Sequence, residues 1–179
     1  KFDEIVEMLL GKSESASPGE ERARIMAEIG RLYTNELDDA EQALVAYTQA
    51  LCESPSTDEY ASEIERIAGQ NATRWGEVLG TVTEGIKAET LSVTDKNALL
   101  ARAARWYDER AKRPDMALMA YQQILTTEPA NDAAQEGLTL IYRRAQQWPE
   151  LAQVLVARAD AAASTPRARD LRTEAAELF

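Results

Sequence analysis

The sequence contains no histidine and only one cysteine, Cys52. Without histidine, the chain lacks the commonest general base and the commonest zinc ligand. A lone cysteine with no histidine forms neither a Cys–His nucleophile pair nor an internal disulfide. We therefore expect a protein that is not an enzyme, with no cofactor and no metal. Cys52 is interpreted as a structural thiol near a helix end.

Long apolar runs and positive charge are also scarce. No apolar run approaches the roughly 18 residues that suggest a membrane-spanning helix. Lysine and arginine number 20 against 31 acidic residues, for a net charge of −11. Such a field repels phosphate backbones and anionic lipid headgroups. The composition predicts no nucleic-acid partner and no membrane partner, and we expect a cytoplasmic location. Because the chain begins without methionine, we interpret it as a fragment of a longer protein.

Glycine and proline are few, with 8 and 6 residues, and most lie between segments of helical periodicity. Hydrophobic residues make up 45% of the chain and strong helix formers are abundant. The pattern predicts an all-α protein of about ten helices joined by short turns. Helix starts are predicted from capping residues at Ser17, Asp38, Thr57, Thr94, Asn131 and Thr165, and from first-turn prolines at Pro114 and Pro149. The apolar pattern predicts a further helix that starts at Trp75.

The chain repeats itself with a period of 73–74 residues. One series of five residues recurs 74 positions later, with Tyr33, Ala43, Tyr47, Leu51 and Pro55 matched by Tyr107, Ala117, Tyr121, Leu125 and Pro129. A second series, Phe2, Trp75 and Trp148, has a spacing of 73. Units that pack only on their neighbours are typical of repeat arrays. We therefore predict that residues 1–179 form a single repeat segment.

The spacing of Ala117, Tyr121, Ile124 and Pro129 resembles the second helix and closing proline of a tetratricopeptide (TPR) repeat. The other copy matches the same family pattern, and Gly30 is the glycine of its first helix. The matching residues are Met26, Ile29, Gly30, Tyr33, Ala43, Tyr47, Ala50 and Pro55. The resemblance implies a right-handed α-solenoid of antiparallel helix pairs, within a long array of bacterial type. Both copies depart from the family by one extra residue in the turn.

TPR arrays line a concave groove with the first helix of each pair, so the resemblance implies partner binding there. Arg31 and Arg105 are equivalent positions on these helices, 74 residues apart. Arg24 lies two turns before Arg31, and Arg143 extends the row on a later helix. One hypothesis is that these guanidinium groups bind carboxylates of a peptide. The alternative is solvated arginine paired with acidic neighbours at i+4. The Lys and Asn residues of the family's carboxylate-clamp subclass are not at these positions.

The preferred functional prediction is a non-catalytic scaffold that binds a protein or peptide on the concave face. The alternative is a structural module that self-associates by end-to-end stacking of exposed repeat faces. A third hypothesis is a regulatory domain attached to an enzyme elsewhere in the parent. The three tryptophans, Trp75, Trp106 and Trp148, are interpreted either as exposed binding anchors or, more simply, as packing between repeats.

Overall fold

The computed structural model describes residues 2–162 and 165–178, and no strand is found among them. The regular elements of this part are ten α-helices, which confirms the all-α class and the expected number of helices. They are α1 (Phe2–Ser15), α2 (Glu20–Asn35), α3 (Ala40–Glu53), α4 (Asp58–Ala68), α5 (Ala72–Gly85), α6 (Val93–Glu109), α7 (Pro114–Thr127), α8 (Asp132–Arg144), α9 (Trp148–Ala161) and α10 (Pro166–Ala176). The right-handed course of the predicted solenoid stays a prediction.

The chain divides into two compact units, Lys1–Leu99 and Leu100–Phe179, and α6 contributes to both. In the first unit α1 packs on α2, α2 on α3 and α3 on both α4 and α5. In the second unit α7 packs on α8, α8 on α9 and α9 on α10. Packing between consecutive helices gives each unit the local contacts of a helical repeat.

The apolar faces of α3 and α5 are buried. Ala43, Leu44, Tyr47 and Leu51 on α3 are all buried. The same holds for Val78, Leu79 and Val82 on α5. Apolar residues that recur every three or four positions form one stripe along a helix, and removing that stripe from water is the main stabilising contribution of the packing.

Two tyrosines that are 74 residues apart lie over glycines. A Cβ added at Gly30 of α2 would lie 2.8 Å from Cε2 of Tyr47. A Cβ added at Gly137 of α8 would lie 2.3 Å from Cζ of Tyr121. Tyr47 therefore packs on a glycine of the preceding helix, whereas Tyr121 packs on a glycine of the following helix. The tyrosine recurs in the repeat, but the two glycines do not lie at equivalent positions.

Several predicted helix starts are confirmed. The side chain of Asn131 accepts a hydrogen bond from the backbone N–H of Ala134 at 2.9 Å, and Thr165 caps α10 in the same way. Pro114 and Pro149 lie in the first turns of α7 and α9. These residues act within a few positions of themselves, so the local sequence suffices to place them.

The predicted caps at Ser17 and Asp38 are wrong. α2 begins at Glu20, and its N-cap is Gly19 with φ 100°, a conformation that favours glycine. At α3 the cap is Asp39, whose side chain accepts from the backbone N–H of Gln42 at 3.0 Å. Asp38 has a positive φ of 51° instead, which turns the chain before the helix begins.

The predictions at Thr94 and Trp75 are also displaced. Thr94 lies inside α6, and the hydroxyl of Ser92 accepts from the backbone N–H of Asp95 at 3.1 Å. α5 begins at Ala72 with Asn71 as its cap, so Trp75 lies within the helix and not at its start. Thr57 does precede α4 as predicted, but its side chain makes no capping hydrogen bond.

Candidate functional site

The predicted partner-binding arginines Arg24 and Arg31 lie on α2 in the first unit, and both are exposed. Both lie near Tyr60, a buried residue of α4. Burial raises the pKa of the Tyr60 hydroxyl, Glu59 adds to the increase, and the positive charges of Arg24 and Arg31 oppose it. The charges of both arginines of α2 thus act on one buried tyrosine of α4.

Acidic side chains lie beside these arginines. Arg24 forms an ion pair with Glu20, one turn earlier, and the hydrogen bond in this pair raises the pKa of Arg24. On α4, Arg66 pairs with Glu63 at 2.6 Å. For Arg24 the pairing is the one that the solvated-arginine alternative predicts. Exposed pairs of this kind contribute little to stability.

Arg31 differs from Arg24, because no ion pair engages it within the part of the chain that the structure describes. It lines a shallow, open cavity of about 250 Å³ together with Glu28, Leu32, Asn35 and Glu36. It also lies close to Tyr47, whose pKa is raised mainly by burial and is lowered in part by Arg31. Its guanidinium group is therefore available to an acidic partner.

In the second unit Arg105 has the same relation to its own tyrosine. Burial raises the pKa of Tyr121, Asp108 adds to the increase, and Arg105 opposes it. Arg105 is exposed on α6. Arg31 with Tyr47 and Arg105 with Tyr121 are thus equivalent pairs, and each unit holds one.

Arg143 does not extend this arrangement. It forms an ion pair with Glu174, so it joins α8 to α10 within the second unit. Its neighbour Arg144 pairs with Asp108. The partner of Arg143 is 31 residues away and is not the i+4 acid of the alternative hypothesis. Sequence spacing alone does not reveal such a pair.

A buried polar cluster in the second unit was missed by the sequence analysis. Arg158 of α9 is only 9% exposed, and its Nη2 donates to Oδ1 of Asp132 at 3.2 Å. Its Nη1 donates to the hydroxyl of Thr139 at 3.3 Å. A signal was present, because Arg158 follows Leu151 and Leu155 at the seven- and three-residue spacings of one buried stripe.

Asp132 at the start of α8 also accepts from Nη2 of Arg167, at 3.0 Å. Burial tends to raise the pKa of this carboxyl group, but hydrogen bonds from Arg158 and Arg167 outweigh it, and the pKa is lowered overall. Asp132 is therefore charged at neutral pH, and it lies between two guanidinium groups.

The Cys52 thiol lies against Gly85, where an added Cβ would be 2.6 Å from Sγ. Burial raises the pKa of this thiol to about 11, and Glu53 adds to the increase. The thiolate is the nucleophile and the metal ligand, so the environment of Cys52 suppresses both kinds of chemistry.

Among the described residues, no group of three or more acidic or cysteine side chains is arranged to hold a metal ion. No helix in that part of the chain has the length and apolar character needed to cross a bilayer. Comparisons with protein-family models, with curated proteins and with solved structures found no match for this chain.

Proposed function

We propose that the chain is a non-catalytic scaffold of TPR-like helical repeats that binds a protein or peptide partner on the first-helix face of each unit. The observation that carries the proposal is an exposed arginine that recurs after 74 residues and whose charge acts on an equivalent buried tyrosine. The charge of Arg31 lowers the pKa of Tyr47 in one unit, and the charge of Arg105 lowers that of Tyr121 in the other, in both cases against the larger effect of burial. Packing alone does not require an exposed arginine at both positions, since surface sites accept most polar residues.

The chemistry of this face fits an acidic peptide segment. A guanidinium group offers up to five N–H donors, and its fork matches the two oxygens of a carboxylate. Glu28 and Glu36 border the Arg31 cavity. Their negative charges repel a partner whose acidic groups are clustered. They favour a partner whose carboxylates are far enough apart for each to bind one arginine. A cytoplasmic location in a bacterial-type array belongs to the same proposal.

The test is reversal of the two equivalent charges together, Arg31→Glu with Arg105→Glu. The probe is an acidic peptide selected from a displayed library against the wild-type protein, with affinity measured by calorimetry. We expect at least a tenfold loss of affinity, about 1.4 kcal/mol, with an unchanged circular dichroism spectrum. A matched control, Lys87→Glu with Arg169→Glu, makes the same change of net charge at exposed positions in the turn after α5 and on α10. Equal peptide affinity for the wild-type protein, the double arginine variant and the control would show that Arg31 and Arg105 do not bind the peptide.

Self-association is a second candidate, favoured by the uneven exposure of the repeated aromatic residue. Phe2 is 36% exposed and Trp148 is 38% exposed, whereas the equivalent Trp75 is 1% exposed. Contact with another copy of the chain would cover the two exposed rings. Light scattering over a concentration series, with Trp148→Ser as the comparison, tests this: wild-type mass should increase with concentration and the variant should remain a monomer. A wild-type protein that stays monomeric throughout would exclude end-to-end stacking.

A further inference from the structure

We propose that a cavity in the second unit, between the start of α8, the end of α9 and the start of α10, binds a single carboxylate group through Arg158 and Arg167. This inference is independent of Arg31 and Arg105. It concerns a site that the 73–74-residue period of the sequence does not mark.

The cavity has a volume of about 250 Å³ and is more enclosed than the cavity beside Arg31. Its lining consists of two guanidinium groups, two other polar side chains and three alanines: Arg158, Arg167, Asp132, Gln135, Ala130, Ala161 and Ala162. Ligand sites of this kind combine a small apolar wall with a few convergent polar groups.

Arg158 carries unused hydrogen-bonding capacity at this site. Its Nη1 and Nη2 are engaged by Thr139 and Asp132. Its Nε is buried and has no hydrogen-bond partner among the described residues. An unsatisfied donor on a buried cation is costly, and native structures seldom leave one without a reason. A bound carboxylate, after a small rotation of the guanidinium plane, would satisfy it.

The repeat shows that packing does not require an arginine here. In the register that aligns Trp75 with Trp148, the position equivalent to Arg158 is Gly85. Gly85 ends α5, where the neighbouring side chain is the Cys52 thiol. At this position the first unit therefore has small, uncharged groups, whereas the second unit has an arginine that lines a polar cavity.

The charge at the site selects the class of ligand. Two arginines face the carboxylate of Asp132, and Glu136 lies 4.0 Å from Arg158. Asp132 neutralises one guanidinium group, while the more distant Glu136 offsets only part of the second. α8 and α10 both begin at the cavity, so the positive ends of two helix dipoles add to the attraction for an anion. The balance fits one monoanion and disfavours a dianion such as phosphate.

The experiment follows the Nε–Hε resonance of Arg158 by NMR in the intact chain. The probes are sodium acetate, an N-acetylated dipeptide with a free C-terminal carboxylate, the same dipeptide as its amide, and inorganic phosphate at equal ionic strength. We expect a saturable shift with the first two probes and none with the amide. Saturation by acetate indicates a site for any small carboxylate. Saturation by the dipeptide acid alone indicates a site for a polypeptide C-terminus. Both outcomes support the proposal.

Variants separate binding from folding. Arg167→Gln removes one guanidinium group from an exposed position, so the fold should persist, and we expect at least a tenfold weaker response to the carboxylate probes. Arg169→Gln, two residues further along α10 and outside the cavity lining, is the matched control and should behave as wild type. A response that is linear with salt, that is as strong for phosphate, or that survives Arg167→Gln would overturn the proposal.

Discussion

At the scale of single residues, each unit packs a tyrosine ring tightly against a glycine of a neighbouring helix. Tyr121 occupies space that a side chain at Gly137 would need, and Tyr47 does the same at Gly30. Protein interiors are packed nearly as densely as organic crystals, so a single added methyl group at such a contact has to displace its neighbour.

Gly137→Ala should therefore destabilise the protein, although alanine is the better helix former. The new Cβ would lie 2.3 Å from the Tyr121 ring, and overpacking of this kind costs about 1–3 kcal/mol. Urea unfolding measures the change in free energy. Gly80→Ala is the control, because Gly80 is exposed on α5 with open space around it, and there we expect a gain of up to about 1 kcal/mol. Equal effects of the two substitutions would contradict the close contact.

The thiol of Cys52 should react slowly in the native protein. Its pKa rises from the ordinary value of 9.0 to about 11, so the thiolate fraction near neutral pH falls about 100-fold. Alkylation by iodoacetamide, followed by mass spectrometry, should be slower by at least that factor than in protein unfolded by guanidinium chloride. Equal rates would show that the thiol is not buried.

The same shift has a consequence for stability against pH. As the pH rises above the ordinary thiol value of 9.0, the unfolded chain loses this proton before the folded chain does, up to about 11. Stability from the neutral thiol is therefore complete below that window and decreases through it. The stability difference between the wild-type protein and Cys52→Ala should shift against the wild type as the pH rises through the window. If the difference in free energy of unfolding between the two proteins did not change with pH, Cys52 would not be the group that titrates.

At the scale of elements, the turn between α1 and α2 is held by long-range contacts. Nε and Nη2 of Arg22 donate to the backbone oxygens of Ser13 and Ala16, at 3.2 and 3.0 Å. Its Nη1 pairs with Oε1 of Glu53 at the end of α3, at 3.1 Å, and Oε2 of Glu53 accepts from the backbone N–H of Gly19 at 2.7 Å. These contacts explain why α2 begins after Gly19 and not at the predicted cap, Ser17.

Arg22→Ala should lower the free energy of unfolding by about 2–3 kcal/mol, because it leaves Glu53 and two carbonyl groups without their partly buried donor. Chemical denaturation provides the measurement. Arg24→Ala, on the same helix, removes an exposed i,i+4 pair and should have no measurable effect. If the two variants were equally stable, the contacts of Arg22 would contribute nothing.

At the scale of the whole molecule, the three tryptophans should respond differently to solvent. Trp75 and Trp106 are 1% and 0% exposed, whereas Trp148 is 38% exposed. Acrylamide should therefore quench one class of tryptophan readily and leave the rest protected. Trp148→Phe should remove the accessible class. If all three tryptophans were quenched alike, the packing of Trp75 and Trp106 would be wrong.

In the candidate sites, the spacing of residues in the sequence predicts which positions are equivalent, but not which side chains from different helices form ion pairs. The 74-residue spacing relates Arg31 to Arg105, and the charge of each acts on the equivalent tyrosine. Arg143 was expected to extend the row, but it is paired with Glu174 of another helix. Arg158 was missed because the acceptors of its guanidinium group lie 19 and 26 residues earlier in the chain.

The sequence by itself determined the helices, their approximate number, the buried stripe on each and the period of the repeat. The period is visible directly from the recurring residues, and the other features follow from interactions within a few residues along one helix, such as the apolar stripe of α3 and the capping residue Asn131 of α8. Only the tertiary structure decided which glycine each tyrosine packs against, which repeated aromatic residue is exposed, and which arginines form ion pairs. Those outcomes depend on side chains from different helices, and the distances between helices are set by the packing of all of them together.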